Sequence, residues 1–330
     1  MKRTIVLTLS FAGVLLLLAL FLVYRQRAAQ PAEQFRIRDT EKIRRITFRR
    51  DTARLELRRQ DGAWQVNGRW AVRPRAVKVL KKVLGTMEVK SPLSGDLPRR
   101  ILEDSAGILT EVGVYGALLP LKQFEVCLSK KIPGGNMMRL RGKKEWYVVR
   151  VPGEDVNPAA LFVTDPWYWR DLTLFRFLPG EVTSVEIKFG EDMKKGFRTG
   201  TDTLTGRIFF IPQDPSLQGR PVDTARVRKF LTYFQVLSCD AWDRSLDTAQ
   251  RDSLLRQTPL YEVIIEARHG RRFRMRVYPL RARGPSAAPG GRDPDVARAW
   301  VEPQEEMVLI KYYRIDPFLF TAGDLLLKNP

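Results

Sequence analysis

The densest group of chemically capable side chains lies at residues 165–171, which read DPWYWRD. Two carboxylates beside aromatic rings occur in glycosidases, which hold a pair of acids about 5 to 10 Å apart. Acids this close in sequence are common, and packing is the stronger interpretation. We expect Trp167 and Trp169 to pack between two domains. Arg170 and Asp171 are expected to pair or to cap a helix. Because aromatic and arginine side chains dominate binding hot spots, a protein-docking surface is the alternative.

The remaining reactive side chains do not form a recognisable catalytic set. The single histidine, His269, lies in a predicted turn and is expected to be exposed. One histidine and two cysteines are too few for a Cys/His zinc site. Phosphate-binding glycine motifs and serine-hydrolase motifs are absent from the sequence. We therefore predict no catalytic, cofactor-binding or metal-binding residue. Cys127 and Cys239 are either an oxidised pair or two buried thiols.

The charge balance favours an anionic partner. The chain carries 57 lysines and arginines against 37 aspartates and glutamates, a formal net charge of +20. Nucleic acid, acidic lipid and acidic protein are all compatible with this charge, but no nucleic-acid recognition motif is present. A helix predicted from Pro74 carries Arg75, Lys78 and Lys82 beside its apolar stripe. We interpret these residues as a solvated face, with a contact for an anionic partner as the alternative.

The elements that position these residues follow from hydrophobic periodicity. Residues 43–66 alternate apolar and polar side chains around turn signals at Asp51 and Asp61, which predicts an antiparallel meander. Pro74 is suited to the first turn of a helix. The apolar stripe of this helix has the spacing of one helical face and consists of Val77, Leu80, Leu84 and Met87.

The same order of elements recurs near residue 180. Strand-like runs at 182–189 and 206–211 precede a helix that Asp223 is expected to cap. The stripe of this second helix lies 150 positions after the first and consists of Val227, Phe230, Phe234 and Leu237. Three further pairs of segments resemble each other: 124–128 and 261–265, 147–151 and 307–311, and 157–162 and 315–320.

These patterns predict an α+β fold of two similar sheet-and-helix repeats with mainly antiparallel strands, following an N-terminal transmembrane helix. We assign residues 1–27 to a cytoplasmic tip and membrane anchor and residues 28–40 to a linker. The two repeats are assigned to residues 41–178 and 179–330. The Pro- and Gly-rich stretch at 281–295 is expected to be a loop at the tip of a hairpin.

The N-terminus predicts a membrane anchor. Residues 4–24 are 21 uncharged residues, and a helix of that length spans about 31 Å, which matches a bilayer core. An uncleaved signal anchor is favoured, although alanines after the span also permit a cleavage site. Lys2, Arg3 and the terminal amine outnumber Arg25 and Arg27, which places residues 25–330 outside the cytoplasm. The wider count of basic residues favours the opposite orientation.

Several short motifs resemble a known family. They are the terminal anchor, ITF at 46–48, DGAWQV at 61–66, the helix from Pro74, and WRDL at 169–172 leading into residues 182–187. Together they resemble membrane-anchored bacterial proteins that carry the domain of unknown function 4340. The resemblance implies a bacterial envelope protein, often encoded near gliding-type ABC-transporter components, and it supports a periplasmic location of residues 25–330. It implies no catalytic residues, and the strong basicity of this chain departs from the family.

The function that we expect is that of a non-catalytic accessory or scaffold in an envelope complex, with ABC-transporter subunits among its partners. Two alternatives remain open. A duplication often creates a cleft, so an envelope ligand could bind between the two repeats. A hydrolase would require acids from both repeats to converge, with Asp165 and Asp171 as candidates.

Overall fold

The computed structural model describes residues 31–103, 108–132, 134–282 and 291–327. The predicted anchor at residues 4–24 lies outside these ranges. Within them, no helix combines the length and the apolar character needed to cross a membrane. The chain divides into two compact units, Met1–Asp171 and Leu172–Pro330.

The first unit is built on one nine-stranded antiparallel sheet. Its strands are β1 (Arg45–Arg50), β2 (Ala53–Gln60), β3 (Ala63–Val66), β4 (Trp70–Ala71), β5 (Glu88–Leu93), β6 (Ile108–Tyr115), β7 (Pro120–Leu128), β8 (Asn136–Leu140) and β9 (Trp146–Arg150). Its α-helices are α1 (Pro74–Thr86), α2 (Leu97–Glu103) and α3 (Pro166–Trp169). The strand order is β4-β3-β2-β1-β6-β7-β8-β9-β5. The meander predicted at residues 43–66 is confirmed as β1, β2 and β3.

Helix α1 covers one face of this sheet. It begins at Pro74 as expected, and the predicted apolar stripe is buried along its whole length. The stripe packs with alternate residues of the strands, including Ile46 and Phe48 of β1. A smaller apolar cluster around Ile101 of α2 contains Cys127 of β7, whereas the neighbouring Val126 belongs to the main core. Since successive strand residues face opposite sides, α1 and α2 pack on opposite faces of the sheet.

The second unit repeats this plan with an eight-stranded sheet. Its strands are β10 (Thr173–Arg176), β11 (Val182–Phe189), β12 (Phe197–Thr201), β13 (Ile208–Pro212), β14 (Val236–Ser238), β15 (Ala241–Trp242), β16 (Tyr261–Ala267), β17 (Arg272–Arg281), β18 (Arg292–Glu302) and β19 (Glu306–Lys311). Its α-helices are α4 (Thr224–Thr232), α5 (Thr248–Leu255) and α6 (Tyr312–Ile315). The sheet order is β13-β12-β11-β16-β17-β18-β19-β15, and β10 pairs with β14 separately.

The two sheets share one strand order. Apart from β4, each strand of the first sheet has a counterpart at the same position in the second. The predicted stripe of the second helix is buried, and Asp223 accepts a hydrogen bond from the backbone N–H of Arg226 at 2.9 Å. Helix α5 packs on an apolar cluster around Tyr278 and Trp300, as α2 does in the first unit. The sheet elements are therefore repeated.

One of the predicted correspondences is wrong by one strand. Residues 124–128 lie in β7, but residues 261–265 lie in β16, which occupies the position of β6. Residues 147–151 and 307–311 do overlap equivalent strands, β9 and β19. Adjacent antiparallel strands carry similar alternating patterns, so sequence similarity alone does not distinguish one strand of a hairpin from the other.

The division between the units falls between Asp171 and Leu172, whereas the sequence assignment placed the boundary between residues 178 and 179. Strand β10 pairs with β14, and Phe175 and Phe177 are buried in the second core. Residues 172–178 therefore belong to the second unit. The predicted hairpin is formed by β17 and β18, which pair as far as Arg281 and Arg292, and residues 283–290 lie outside the description.

Candidate functional site

The predicted junction at residues 165–171 folds as helix α3. Asp165 caps this helix by accepting a hydrogen bond from the Trp167 N–H at 3.1 Å. The Trp169 side chain is 1% exposed and stacks on Phe48, with ring centroids 5.7 Å apart. Its indole N–H donates to the Val163 carbonyl at 2.8 Å. Trp169 is therefore a core residue of the first unit, where the sequence predicted packing between domains.

Arg170 is a buried cation that lies against two neighbouring indole rings, whose centroids are 5.0 Å apart. The residue is 6% exposed, and its guanidinium lies 5.0 Å from the ring centroids of both Trp70 and Trp167. Cation–π contacts of this kind are worth about 2 kcal/mol when they are desolvated. Arg170 also caps the C-terminus of α3, and the Asp171 N–H donates to the Ala71 carbonyl at 2.8 Å. The segment that follows α3 is thereby fixed beside β4.

Arg73 connects this segment to helix α1. Its backbone N–H donates to the Trp169 carbonyl at 2.7 Å, and its Nη2 donates to the Tyr168 carbonyl at 2.6 Å. Its guanidinium also lies 5.4 Å from the centroid of the Tyr168 ring. Because Arg73 immediately precedes Pro74, the structure brings together the two groups of candidate residues that the sequence analysis had kept separate.

The basic residues of α1 differ in how far their charge is compensated. Lys82 forms an ion pair with Glu154, whereas Arg75 and Lys78 are exposed and form no ion pair within the described ranges. The first turn of α1 contains no acidic residue, and the N-terminal helix dipole adds partial positive charge. The uncompensated positive charge is therefore concentrated in the N-terminal half of the helix.

These groups form one patch, which we call the basic aromatic surface. Its exposed and half-buried members are Arg69, Trp70, Arg73, Arg75, Lys78, Trp167 and Tyr168, and the buried Arg170 contacts its two indole rings. The Arg69 guanidinium lies 4.5 Å from the Trp70 ring, and Tyr168 is exposed. Guanidinium groups fixed against rings are well placed to donate paired hydrogen bonds to carboxylates or phosphates. Arg69, Trp70 and Arg73 were not predicted as binding residues, although they lie directly before the helix signal at Pro74.

A polar groove that was not predicted from the sequence lies on the face of the first sheet that points away from α1. The groove has a volume of about 420 Å³ and crosses β1, β6 and β7. Glu111 of β6 and Glu125 of β7 are cross-strand neighbours, and like charges in this arrangement destabilise a sheet. Arg49 donates to Glu111 at 2.6 Å, and Arg139 forms an ion pair with Glu125. The hydrogen bond to Glu111 raises the pKa of Arg49.

The floor of this groove is closely packed around Gly113, so a side chain at this position would require Thr47 and Tyr115 to move. A Cβ at Gly113 would lie 2.7 Å from the Tyr115 ring and from Thr47 Oγ1, closer than van der Waals contact allows. The Tyr115 hydroxyl in turn accepts a hydrogen bond from Gln123 at 3.1 Å. The alternation of apolar and polar residues along β1, β6 and β7 was the sequence signal for this polar face. It does not show which strands are neighbours, so it could not predict the groove.

The other candidates for chemistry have structural positions. His269 is exposed in a turn with φ 62°, which confirms the expectation. Cys127 and Cys239 are both buried and are not joined by a disulfide bond, and burial raises the pKa of Cys127. Across the described part of the chain, no group of three or more His, Cys, Asp or Glu side chains could hold a metal ion.

The fold defines an α+β protein with mostly antiparallel sheets and a repeated set of sheet elements. Comparison with known proteins adds no relative, since no family model matches the chain and no curated protein matches it either.

Proposed function

We propose that this chain is a membrane-anchored bacterial envelope protein that acts as a non-catalytic accessory or scaffold, binding an acidic partner protein at the basic aromatic surface. One observation carries the proposal. Arg73 bridges the Tyr168–Trp169 backbone to the start of α1, so exposed, uncompensated cations adjoin an aromatic cluster.

The composition of this patch supports a protein partner. Trp, Tyr and Arg are the residue types that contribute most to binding free energy in protein interfaces. The guanidinium groups of Arg69 and Arg73 are already held against the rings of Trp70 and Tyr168. Binding therefore requires little further loss of side-chain freedom, which is a main cost of association.

The location is proposed from the N-terminal sequence. Residues 4–24 have the length and composition of a membrane span, and their immediate flanks favour a cytoplasmic N-terminus. We propose residence in the bacterial inner membrane, with residues 25–330 in the periplasm. The resemblance to proteins with the domain of unknown function 4340 supports this location, and it suggests ABC-transporter subunits of the gliding type as partners.

Charge reversal of the exposed cations tests the proposal. We expect Arg75→Glu with Lys78→Glu, in the full-length chain, to reduce recovery of crosslinked partners from native membranes by about tenfold, because like charges would now face an acidic surface. Quantitative mass spectrometry after crosslinking measures the loss. The matched control is Lys143→Glu with Lys144→Glu, which makes the same charge change at the exposed turn between β8 and β9.

Equal recovery from both double variants would contradict the proposal. Tyr168→Ala provides a second test, since it removes an exposed ring of the surface. Trp169→Ala is unsuitable for this purpose because removal of a buried tryptophan costs about 3–5 kcal/mol of stability.

A further inference from the structure

The second sheet has an open position that the first sheet fills with its own chain. Strand β13 forms one edge of the second sheet, and no described strand pairs with its outer side. In the first sheet the equivalent strand, β3, is covered by β4, with Ala71 opposite Gln65 and Trp70 opposite Val66. The two units therefore differ at this edge despite their shared strand order.

The connection after β13 explains the difference. Residues 213–223 contain Pro215 and Pro221 and form a short 3₁₀ helix at Pro215–Leu217. Proline lacks the N–H that a strand needs for pairing. The chain therefore turns away from the edge, where the corresponding connection of the first unit returns as β4.

Within the described ranges, the backbone of β13 has hydrogen-bonding groups without partners on its outer side. The Arg207 carbonyl accepts a hydrogen bond from the Asp202 N–H at 2.8 Å, and the Phe209 carbonyl accepts one from the Thr199 hydroxyl at 2.7 Å, so both carbonyls face β12. Since the bonding direction alternates along an antiparallel strand, the N–H and C=O groups of Ile208 and Phe210 face away from β12. Unpaired edge groups of this kind are a template for another strand.

A groove of about 280 Å³ runs beside this edge. It is lined by Phe210, Ile211 and Leu217, and the Ile211 side chain is 56% exposed. Arg220 lies in its wall and Arg207 precedes the strand, and neither forms an ion pair within the described ranges. The site therefore offers backbone pairing, apolar contact and uncompensated positive charge.

We propose that β13 accepts an extended, acidic segment of a partner protein as an additional strand. The segment takes the position that β4 has in the first unit, with its backbone paired to Ile208 and Phe210 and a carboxylate near Arg220. Strand addition of this type gains affinity from main-chain hydrogen bonds and specificity from side chains. Charge favours a partner over a second copy, because each copy carries a net charge of +20. This site is independent of the basic aromatic surface.

Binding of synthetic peptides to the full-length chain in detergent tests the proposal. The probe is a fluorescent peptide of alternating valine and threonine containing two aspartates, and the control peptide has lysines in their place. We expect fluorescence anisotropy to show the acidic peptide binding at least about tenfold more tightly. Arg220→Glu should weaken acidic-peptide binding by about tenfold, a change of about 1.4 kcal/mol.

The role of the edge backbone is tested by a matched pair of variants. Ile208→Pro removes the side chain and the edge N–H at the first residue of the strand, a position where proline is tolerated. Ile208→Ala removes most of the same side chain and keeps the N–H. We expect the proline variant to bind the acidic peptide about tenfold more weakly than the alanine variant, with thermal unfolding checked for both.

Three results would overturn the proposal. The first is that the acidic and basic peptides bind equally well or that neither binds. The second is that the Ile208→Pro and Ile208→Ala variants bind the acidic peptide with equal affinity. The third is that sedimentation shows a dimer of this chain that Ile208→Pro dissociates. If Ile208→Pro does not fold, Arg220→Glu decides, and unchanged binding of the acidic peptide by that variant would reject the site.

Discussion

Ion pairs at the surface and in the interior of this protein differ in how much they affect its stability. Most ion pairs are exposed, and such pairs contribute little to stability. The pair of Asp243 and Arg298 is an exception, since their side chains are 3% and 11% exposed. The Ser245 hydroxyl also donates to Asp243 at 2.7 Å. Removing one partner of such a pair leaves an uncompensated buried charge.

Asp243 is therefore expected to make stability depend on pH. Burial by itself raises the pKa of this carboxyl, but the hydrogen bonds from Ser245 and the interaction with Arg298 outweigh burial and lower the pKa below its ordinary value of 3.8. A lowered pKa means that stabilisation is present above the ordinary value and is lost as the pH falls through the folded-state value. We predict that the free energy of unfolding declines more steeply below about pH 5 in the wild type than in Asp243→Asn.

Denaturant unfolding of both proteins between about pH 7 and pH 2 measures this difference. At neutral pH the variant should be less stable by about 1–3 kcal/mol, because the buried Arg298 loses its charged partner. Parallel pH profiles for the two proteins would show that Asp243 does not provide the pH dependence.

At the scale of elements, close backbone approach between β11 and β12 limits which residues can occupy these strands. A Cβ at Gly200 in β12 would lie 2.1 Å from the Thr183 carbonyl oxygen of the neighbouring strand. The nearest obstacles are main-chain atoms of β11, so a rotamer change does not relieve the overlap. Pairing between β11 and β12 depends on the absence of a side chain at this position.

We predict that Gly200→Ala lowers the free energy of unfolding by about 1–3 kcal/mol or more, because the two strands must separate. The control is Gly323→Ala, where the nearest atom to the new Cβ would be 3.9 Å away. That change should stay within about 0.5 kcal/mol of the wild type. Denaturant unfolding compares the two variants, and equal destabilisation would contradict the steric explanation.

At the scale of the whole molecule, each unit has its own hydrophobic core. The first residues of the second unit contribute to its core, since Leu174, Phe175 and Phe177 are buried there. Phe175 packs against Phe273 with ring centroids 4.8 Å apart. The residues between 172 and 178 are thus part of a folded unit and not a linker.

Two fragments test where the second unit begins. We predict that a fragment of residues 172–330 unfolds cooperatively, whereas one of residues 179–330 does not, because it lacks β10 and three buried side chains, each worth about 2–5 kcal/mol. Circular dichroism during thermal unfolding distinguishes the two outcomes. If both fragments unfold with equal cooperativity, the second folding unit begins near residue 179.

Local patterns predicted much of the secondary structure. Proline at position 74 fixed the start of α1, and the spacing of Val77, Leu80 and Leu84 identified its buried face. The role of Trp169 was not predictable in the same way, because its stacking partner Phe48 lies in β1 and no local pattern relates the two. Arg73 was missed for a similar reason, since its partners at 168 and 169 are distant in sequence.

By itself, the sequence determined the strand-rich α+β class, the repeated order of elements, the buried stripes of both helices and the excess of positive charge. These properties depend on composition and on periodicities of two or 3.6 residues, which are local. Only the tertiary structure decided that Arg73 joins the two groups of candidate residues, that Glu111 opposes Glu125, and that β13 is an open edge where β3 is covered. The physical reason is that strand order and register arise from contacts between distant segments, and several pairings satisfy the same alternating pattern.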